Sequence, residues 1–269
     1  MKCKLICSDI DGTLLDINRS LSIETKKAVK KISPEIPFIL VSSRMPKSMH
    51  LLQAELQINS LPLIAYNGAL ILDGSGKVLK SIEIPFSITK QICTHLTNSD
   101  LHFSFYNNAE WVVPALDFWA KREQNNTRVT PNVRPLKETL ALWSQKKQGA
   151  HKIMAMGESV DLDQIEQFLF KNFSEQINAY RSKDTYLEIS NKELDKASAL
   201  AFLLSVEYPD INMQDIMAFG DNYNDQTLLE LAGRGVAVSN AKSEILKATP
   251  FHTLSNHEHG VAVAIEKYY

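Results

Sequence analysis

Two aspartates one residue apart follow a short apolar segment near the N-terminus. Residues 9–13 read Asp-Ile-Asp-Gly-Thr and place Asp9 and Asp11 directly after residues 4–8. Residues i and i+2 of an extended chain point to the same side, so both carboxylates can face one ligand. Two negative charges this close are costly unless a cation or a proton accompanies them, and Mg²⁺ prefers such oxygen ligands. Taken alone, the pair fits an ordinary acidic turn equally well.

A second acidic segment lies far along the chain. Residues 220–225 read Gly-Asp-Asn-Tyr-Asn-Asp and again follow an apolar run, residues 216–219. Asp221 and Asp225 would add carboxylates near a metal, and Asn224 would add a neutral amide. Asn and Asp are also common at helix starts, so the segment alone could be a cap. Two such clusters, each at a predicted strand end, indicate a shared site.

Two further residues could bind a phosphate. Ser42 follows the apolar residues 38–41, where a hydroxyl and backbone N–H groups can hold phosphate oxygens. Lys196 opens a predicted helix, and its ammonium could stabilise charge on a transferring group. Each signal is weak alone, because Ser caps and surface lysines are common.

The elements that must position these residues alternate between strand and helix. Before residue 70, strands are predicted over 4–8, 37–42 and 63–66, with helices over 23–32 and 46–56. After residue 195, the predicted elements are a helix over 196–206, a strand over 216–219, a helix over 226–231, a strand over 235–238 and a helix over 261–266. Such alternation predicts right-handed βαβ units and a parallel sheet, which binds ligands beyond the carboxyl ends of its strands.

The middle of the chain has a different pattern. A hairpin turn is predicted at residues 74–76 and a loop over 125–135. Helices are predicted over 88–96 and 162–170, and strands over 102–106, 111–113, 152–156, 179–181 and 186–189. Adjacent strands without intervening helices are typical of an α+β module. The predicted fold class is therefore α/β: a three-layer, Rossmann-like core with a parallel sheet (residues 1–83 and 191–269) and an inserted α+β domain (84–190).

Composition and charge exclude several functions. The 269 residues include 29 basic and 31 acidic side chains, which leaves no basic excess for a nucleic-acid surface. No apolar run is long enough to span a membrane, and no secretory signal is evident. Three cysteines without metal-ligand spacing predict reduced, mostly buried thiols and a cytoplasmic location. The seven histidines are predicted to occupy surface or loop positions, and the aromatic residues of 111–119 to pack the insert.

The four candidate segments resemble, in order and spacing, the motifs of the haloacid dehalogenase-like hydrolase superfamily. The matching text is CSDIDGTLLD, VSSR, KASAL and AFGDNYNDQTLL, with further similarity in YNGA, YLEIS, GVAVSNA and HGVA. The resemblance is greatest to the Cof-like branch, whose members carry a large cap domain between the second and third motifs. It implies a Mg²⁺-dependent phosphatase acting on a small organic phosphate, with a sugar phosphate as the first expectation and nucleotide or vitamin phosphates next.

The resemblance also implies a role for each matching residue. Asp9 is expected to attack phosphorus and form an aspartyl-phosphate, and Asp11 to act as general acid and base. The Asp9 side chain, the Asp11 backbone carbonyl and Asp221 are expected to hold Mg²⁺, with Asp225 close behind. The expected phosphate-binding residues are Ser42, Lys196 and Asn224.

This sequence departs from the family pattern without losing a catalytic group. Ser42 and Ser43 replace Thr and Gly, Ala197 replaces a Gly, and His259 replaces an Asp. Two other interpretations stay open: a sugar phosphomutase, or a non-catalytic phosphate-binding protein on the same fold. The sequence leaves the oligomeric state open.

Overall fold

A computed structural model describes residues 3–97 and 99–269, so the first two residues of the predicted core domain lie outside the described residues. Two compact units make up the chain. One consists of the chain up to Lys80 together with Asp195–Tyr269, and the other is Ser81–Leu194.

The chain begins with strands and helices in alternation. Its first elements are β1 (Leu5–Ser8), α1 (Ile23–Ile32), β2 (Phe38–Val41), α2 (Pro46–Leu56), β3 (Leu63–Ala65), β4 (Leu70–Leu72) and β5 (Val78–Ser81). Every residue of β1, β2 and β3 is buried, as expected for strands covered on both faces. Helix α1 begins where the Ser22 side chain accepts a hydrogen bond from the backbone N–H of Thr25.

The second unit, residues 81–194, is an α+β module. Its elements are α3 (Phe86–Leu96), β6 (His102–Asn107), β7 (Glu110–Val113), α4 (Phe118–Thr127), β8 (Asn132–Val133), α5 (Leu136–Lys146), β9 (Lys152–Met156), α6 (Ser159–Phe173), β10 (Ile177–Lys183) and β11 (Tyr186–Asn191). The strands form a six-stranded sheet in the order β10-β11-β9-β6-β7-β8. Side chains such as Ile92, Ile153 and Leu162 pack α3 and α6 against that sheet.

The alternation then resumes and completes the first unit. The last elements are α7 (Lys196–Glu207), β12 (Ile216–Gly220), α8 (Gln226–Leu231), β13 (Arg234–Val238), α9 (Ser243–Ala248), β14 (Phe251–Thr253) and α10 (Gly260–Tyr268). Leu200 of α7, Leu228 of α8 and Ile245 of α9 pack in one cluster with strand residues such as Cys7 and Ala218.

Strands β1–β5 and β12–β14 form one sheet that brings distant segments together. The strand order is β14-β13-β12-β1-β2-β3-β4-β5, and each neighbouring pair from β14 to β3 is parallel. The chain runs outward in opposite directions from β1 and β12, which leaves a crevice beyond their carboxyl ends. Asp9, Ser42 and Asp221 follow the adjacent strands β1, β2 and β12. The predicted α/β fold with a parallel core sheet is confirmed.

Most predicted elements are present, with two corrections. Helices α1, α2 and α8 and strand β9 have the predicted bounds. The prediction of a loop over 125–135 holds for residues 128–131 and 134–135 but is wrong for the rest, because α4 extends to Thr127 and β8 pairs with β7. A surface or loop position is also wrong for His102, which is buried in β6 and hydrogen-bonded. His151 lies in the turn before β9, as a loop position requires, but its side chain is buried.

The cysteines agree with the sequence-based expectations, and the aromatic segment agrees in part. All three cysteines are free thiols; Cys7 and Cys93 are buried, and Cys3 is partly buried. In the aromatic segment expected to pack the insert, Trp111 is buried, but Phe118 is 67% exposed, so the expectation is wrong for that residue. Within residues 3–97 and 99–269, no helix combines the length and apolar character needed to cross a membrane.

Candidate active site

Three carboxylates from two strand ends converge at the crevice. Asp9 follows β1, whereas Asp221 and Asp225 lie in the turn after β12. One carboxylate oxygen from each of the three residues lies within 4.8 Å of the other two. Asp225 is fully buried and Asp9 is only 6% exposed. The structure thus assembles residues that are more than 200 positions apart, as the parallel pairing of β1 and β12 requires.

Lys196 places a single positive charge among these carboxylates. It is the first residue of α7. The preceding residue, Asp195, caps this helix: its side chain accepts a hydrogen bond from the backbone N–H of Ser198. The Nζ atom donates to Oδ1 of Asp9 and to Oδ1 of Asp225, at 2.6 Å in both cases. The Lys196 side chain has no exposed surface. Lys196, for which the sequence alone provided only a weak signal, therefore lies at the centre of the site.

The charges of this group shift one another's protonation. Burial raises the pKa of Asp9 well above its ordinary value; Lys196 opposes this rise, and the charges of Asp225 and Asp221 add to it. Burial, with the Asp225 charge, raises the pKa of Asp221 to about 6. Burial alone would lower the pKa of Lys196, but the carboxylates of Asp225 and Asp9 outweigh it and raise that pKa. Burial and the neighbouring carboxylates therefore disfavour full ionisation of Asp9 and Asp221 when no cation is bound.

A glycine and a threonine fix the loop after β1 against Asp221. Gly12 has φ +85°, and a Cβ atom there would lie 2.4 Å from Oδ2 of Asp221. Only glycine meets both demands at this position. The hydroxyl of Thr13 donates to Oδ1 of Asp221 at 2.8 Å. Asn240 donates through Nδ2 to the carbonyl of Gly12 at 2.8 Å and holds the loop from the other side.

Asp225 also organises the turn after β12. Its Oδ2 atom accepts hydrogen bonds from the backbone N–H groups of Asp221 (3.0 Å) and Asn222 (3.1 Å). In the same turn, Asn224 donates through Nδ2 to Oδ1 of Asn67 at 3.0 Å. Asn67 follows β3 and has φ +57°, a conformation that asparagine tolerates. The predicted residue Asn224 is thus hydrogen-bonded to the end of β3, a segment to which the sequence analysis assigned no role.

The side chain of Asp11 turns to a different partner. Among the described residues, the cluster of converging carboxylates consists of Asp9, Asp221 and Asp225 and does not include Asp11. The Asp11 carboxylate instead forms a two-pronged ion pair with Arg44. Nε and Nη2 of Arg44 donate to Oδ2 and Oδ1 of Asp11 at 2.6 and 2.8 Å. Ser42 is buried in the same turn after β2, and its hydroxyl accepts from the backbone N–H of Arg44 at 3.3 Å. Arg44 stood within the VSSR match, but its partner was not predictable from spacing.

The donor set fits a divalent cation. Asp9, Asp221 and Asp225 supply oxygen atoms, the ligand type that Mg²⁺ prefers. With all three carboxylates ionised, the group would carry two negative charges beyond the one that the Lys196 ammonium offsets. One Mg²⁺ ion has the matching charge. Because Oδ2 of Asp225 is engaged by two backbone N–H groups, Asp9 and Asp221 are the better candidates for direct ligands.

Comparisons with known proteins identify the family to which the chain is related. The sequence profile of the haloacid dehalogenase-like hydrolase family matches residues 6–265. A provisionally named phosphatase of Haemophilus influenzae is 31% identical over 99% of this chain and 98% of its own. The 5-amino-6-(5-phospho-D-ribitylamino)uracil phosphatase YwtE of Bacillus subtilis is 28% identical over 99% and 98%. The crystal structure of a haloacid dehalogenase-like hydrolase from Bacteroides thetaiotaomicron covers all of both chains at 28% identity, with a TM-score of 0.91.

This chain belongs to the haloacid dehalogenase-like hydrolase family. The predictions of this family and of a hydrolase are therefore confirmed. Relatives that span nearly the whole chain carry phosphatase names.

Proposed function

We propose that this chain hydrolyses phosphomonoesters of small organic molecules, with Mg²⁺, through an aspartyl-phosphate at Asp9. The observation that carries the proposal is the contact of Lys196 with both Asp9 and Asp225 at 2.6 Å. A buried ammonium held against a carboxylate nucleophile can offset the charge of an approaching phosphoryl group. A turn with only a structural role does not need a buried ammonium beside its carboxylates.

The chain's own side chains supply a two-step reaction. In the first step, a carboxylate oxygen of Asp9 attacks phosphorus, the ester P–O bond breaks, and Asp11 gives its proton to the leaving oxygen. In the second step, Asp11 takes a proton from water, whose oxygen attacks the same phosphorus and displaces the Asp9 carboxylate. Ser42, Lys196 and Asn224 hold the phosphoryl oxygens in this proposal.

Asp9, Asp221 and the backbone carbonyl of Asp11 would hold the Mg²⁺ ion, with Asp225 behind them. When bound, the ion would neutralise charge on the phosphoryl oxygens and on the attacking carboxylate. This assignment is supported by the convergence of one carboxylate oxygen from each of Asp9, Asp221 and Asp225 within 4.8 Å of one another.

Residues 84–190 act as the cap in this proposal, and residues 1–83 and 191–269 as the catalytic core. The substrate class is a small organic phosphate, with a sugar phosphate first and nucleotide or vitamin phosphates next. The name of the Bacillus subtilis relative, which specifies a phosphoribitylamino compound, supports a small phosphorylated metabolite.

The deciding experiment measures Mg²⁺-dependent phosphate release from an aryl phosphate and from a panel of sugar and nucleotide phosphates. Asp9→Asn keeps the shape of the side chain but removes the nucleophile, and we expect it to abolish turnover and phosphoenzyme formation. Asp210→Asn, an identical change at an exposed position of the same unit, is the matched control.

Unchanged turnover in Asp9→Asn would disprove the mechanism. If isomerised sugar phosphate formed faster than free phosphate, the enzyme would be a mutase and not a hydrolase. Phosphate binding without any turnover on the panel would favour the non-catalytic alternative.

A further inference from the structure

Arg44 lies at the turn after β2 with its guanidinium almost fully buried. Its side chain is 8% exposed, whereas that of Asp11 is 41% exposed. Each of the three nitrogen atoms of the guanidinium has a partner: Nε and Nη2 bind the two oxygens of Asp11, and Nη1 donates to the hydroxyl of Ser48 at 3.1 Å. The guanidinium is therefore held in one orientation.

Buried groups support Arg44 from behind. Ser48 belongs to α2 and is 1% exposed. The backbone carbonyl of Arg44 accepts from the N–H of Tyr66 at 3.1 Å, which fixes the residue from the side of β3. Its backbone N–H donates to Ser42. Both ends of the arginine are thus attached to buried parts of the first unit.

The Asp11 side chain is 41% exposed, and Arg19 of the same loop donates to its Oδ1 at 3.2 Å. A half-exposed aspartate can sample several side-chain rotamers, and its carboxylate plane can rotate. A two-pronged arginine fixes both the position and the plane of a carboxylate, which a lysine cannot do. The fork of Arg44 therefore imposes a single orientation on the residue expected to exchange protons with the leaving oxygen and with water.

We propose that Arg44 is the positioning residue for Asp11, and that proton transfer in both steps depends on its fork rather than on its charge. The inference rests on the proposed function, because it assigns Asp11 as acid and base. Arg44 acts through Asp11 and is not assigned a contact with substrate. Loss of the fork should therefore affect those steps that need a proton and spare those that do not.

Leaving groups of different basicity separate these steps. 2,4-Dinitrophenolate leaves without a proton, whereas the alkoxide of an alkyl phosphate needs one. Rapid-quench kinetics on Arg44→Lys should show phosphorylation by the best alkyl substrate slowed about 10²-fold, the usual contribution of a general acid. The burst of dinitrophenolate should stay within about threefold of the wild type. Breakdown of the phosphoenzyme should slow equally for both substrates.

Arg19 provides the matched control for charge. Its Nη1 atom donates to Oδ1 of Asp11 at 3.2 Å, but both side chains are about two-fifths exposed and the contact is single. Arg19→Ala removes one positive charge from the same carboxylate and leaves the fork intact. We expect its rates to stay within about twofold of the wild type, as for a weak surface pair.

Ser48→Ala tests the same chain of contacts without altering Arg44, and serves if Arg44→Lys does not fold. It should also slow phosphorylation by the alkyl substrate more than phosphorylation by the dinitrophenyl substrate, but by a smaller factor than Arg44→Lys. An equal loss for both leaving groups, no loss in either variant, or a loss confined to KM would overturn the inference. These outcomes are distinct from failure of the proposed function, which the wild type and Asp9→Asn report.

Discussion

Lys196 and Asp9 are 187 positions apart in sequence, and their side chains form a buried hydrogen bond of 2.6 Å. The contact joins the first residue of α7 to the residue that follows β1. It exists because α7 packs on the sheet with its N-terminus at the carboxyl ends of the strands. The arrangement fixes the proposed nucleophile and also creates a buried charge cluster whose members depend on one another.

Removing the ammonium should therefore destabilise the protein as well as inactivate it. Lys196→Met leaves Asp9 and Asp225 buried without their cation, and breaking such a pair costs about 3–5 kcal/mol of unfolding free energy. Denaturant unfolding at neutral pH without Mg²⁺ measures this loss. Lys27→Met, at an exposed position on α1, is the control and should change stability by less than about 0.5 kcal/mol.

A second substitution makes that prediction sharper. Adding Asp225→Asn to Lys196→Met removes one of the two unpaired carboxylates, so the double variant should be more stable than Lys196→Met alone. Additive losses would show that the two side chains do not interact energetically.

The sequence predicted those elements whose apolar pattern is strong. Helices α1 and α2 have their predicted bounds because buried residues recur in them at helical spacing, and strand β9 because it is a short run in which every residue is buried. Helix α4 was missed because Ala120 is its only buried residue, so it has no apolar stripe. It is instead begun by Asp117, whose side chain accepts from the backbone N–H of Ala120 at 2.8 Å. A single cap in a polar segment is too weak a signal to predict a helix.

The candidate site was predictable to a different extent. Strand-end placement was enough to bring Asp9 and Asp221 together, because neighbouring parallel strands share one edge. The direction of the Asp11 side chain was not predictable, since it depends on the rotamer of Arg44 and on Ser48 behind it. Contacts of this kind are set by packing and not by spacing along the chain.

A methyl group at Gly12 should disrupt the site specifically. Gly12→Ala forces a side chain into φ +85° and directs its Cβ to within 2.4 Å of Oδ2 of Asp221. Displacement of that carboxylate by about 1 Å should lower kcat/KM about 10²-fold. Steady-state assays and thermal unfolding together separate this effect from loss of the fold.

Gly76 offers a matched control for the backbone. It also has φ +85°, but a Cβ there would meet no atom within 4 Å. Gly76→Ala should therefore cost about 1–2 kcal/mol of stability from backbone strain and leave kcat/KM unchanged. Equal activity of the two variants would mean that contact with Asp221 is unimportant.

The hydroxyl of Thr13 should tune metal affinity through Asp221. Thr13 is buried, and its Oγ1 donates to Oδ1 of Asp221, which orients the carboxylate. Thr13→Val removes this hydrogen bond at nearly constant shape and should weaken Mg²⁺ binding about tenfold, a typical effect for a partner behind a ligand. Calorimetric titration and the half-saturating Mg²⁺ concentration for activity both measure the change. Thr13→Ser keeps the hydroxyl and should retain most of the affinity, whereas equal affinity in Thr13→Val would contradict the role.

His151 should make the stability of the second unit depend on pH. It is fully buried, its ring contacts the Ser81 hydroxyl at 2.9 Å, and its Nδ1 accepts from the backbone N–H of Asn108. Burial lowers its pKa to about 4, against about 6.5 in the unfolded chain. The neutral form is therefore favoured by folding, and stability is complete above pH 6.5. As the pH falls toward 4, this histidine binds a proton in the unfolded chain but stays neutral in the folded chain, so the free energy of unfolding declines.

The decline should be measurable in the second unit alone. All three tryptophans, at positions 111, 119 and 143, lie in Ser81–Leu194, so their fluorescence follows its unfolding. Between pH 7.5 and pH 5, the titration of His151 should remove about 2 kcal/mol of unfolding free energy. His151→Gln should flatten this part of the pH dependence even if it lowers stability throughout. His257→Gln, at an exposed position, should leave the slope unchanged, and an unaltered slope in His151→Gln would assign the pH dependence to other groups.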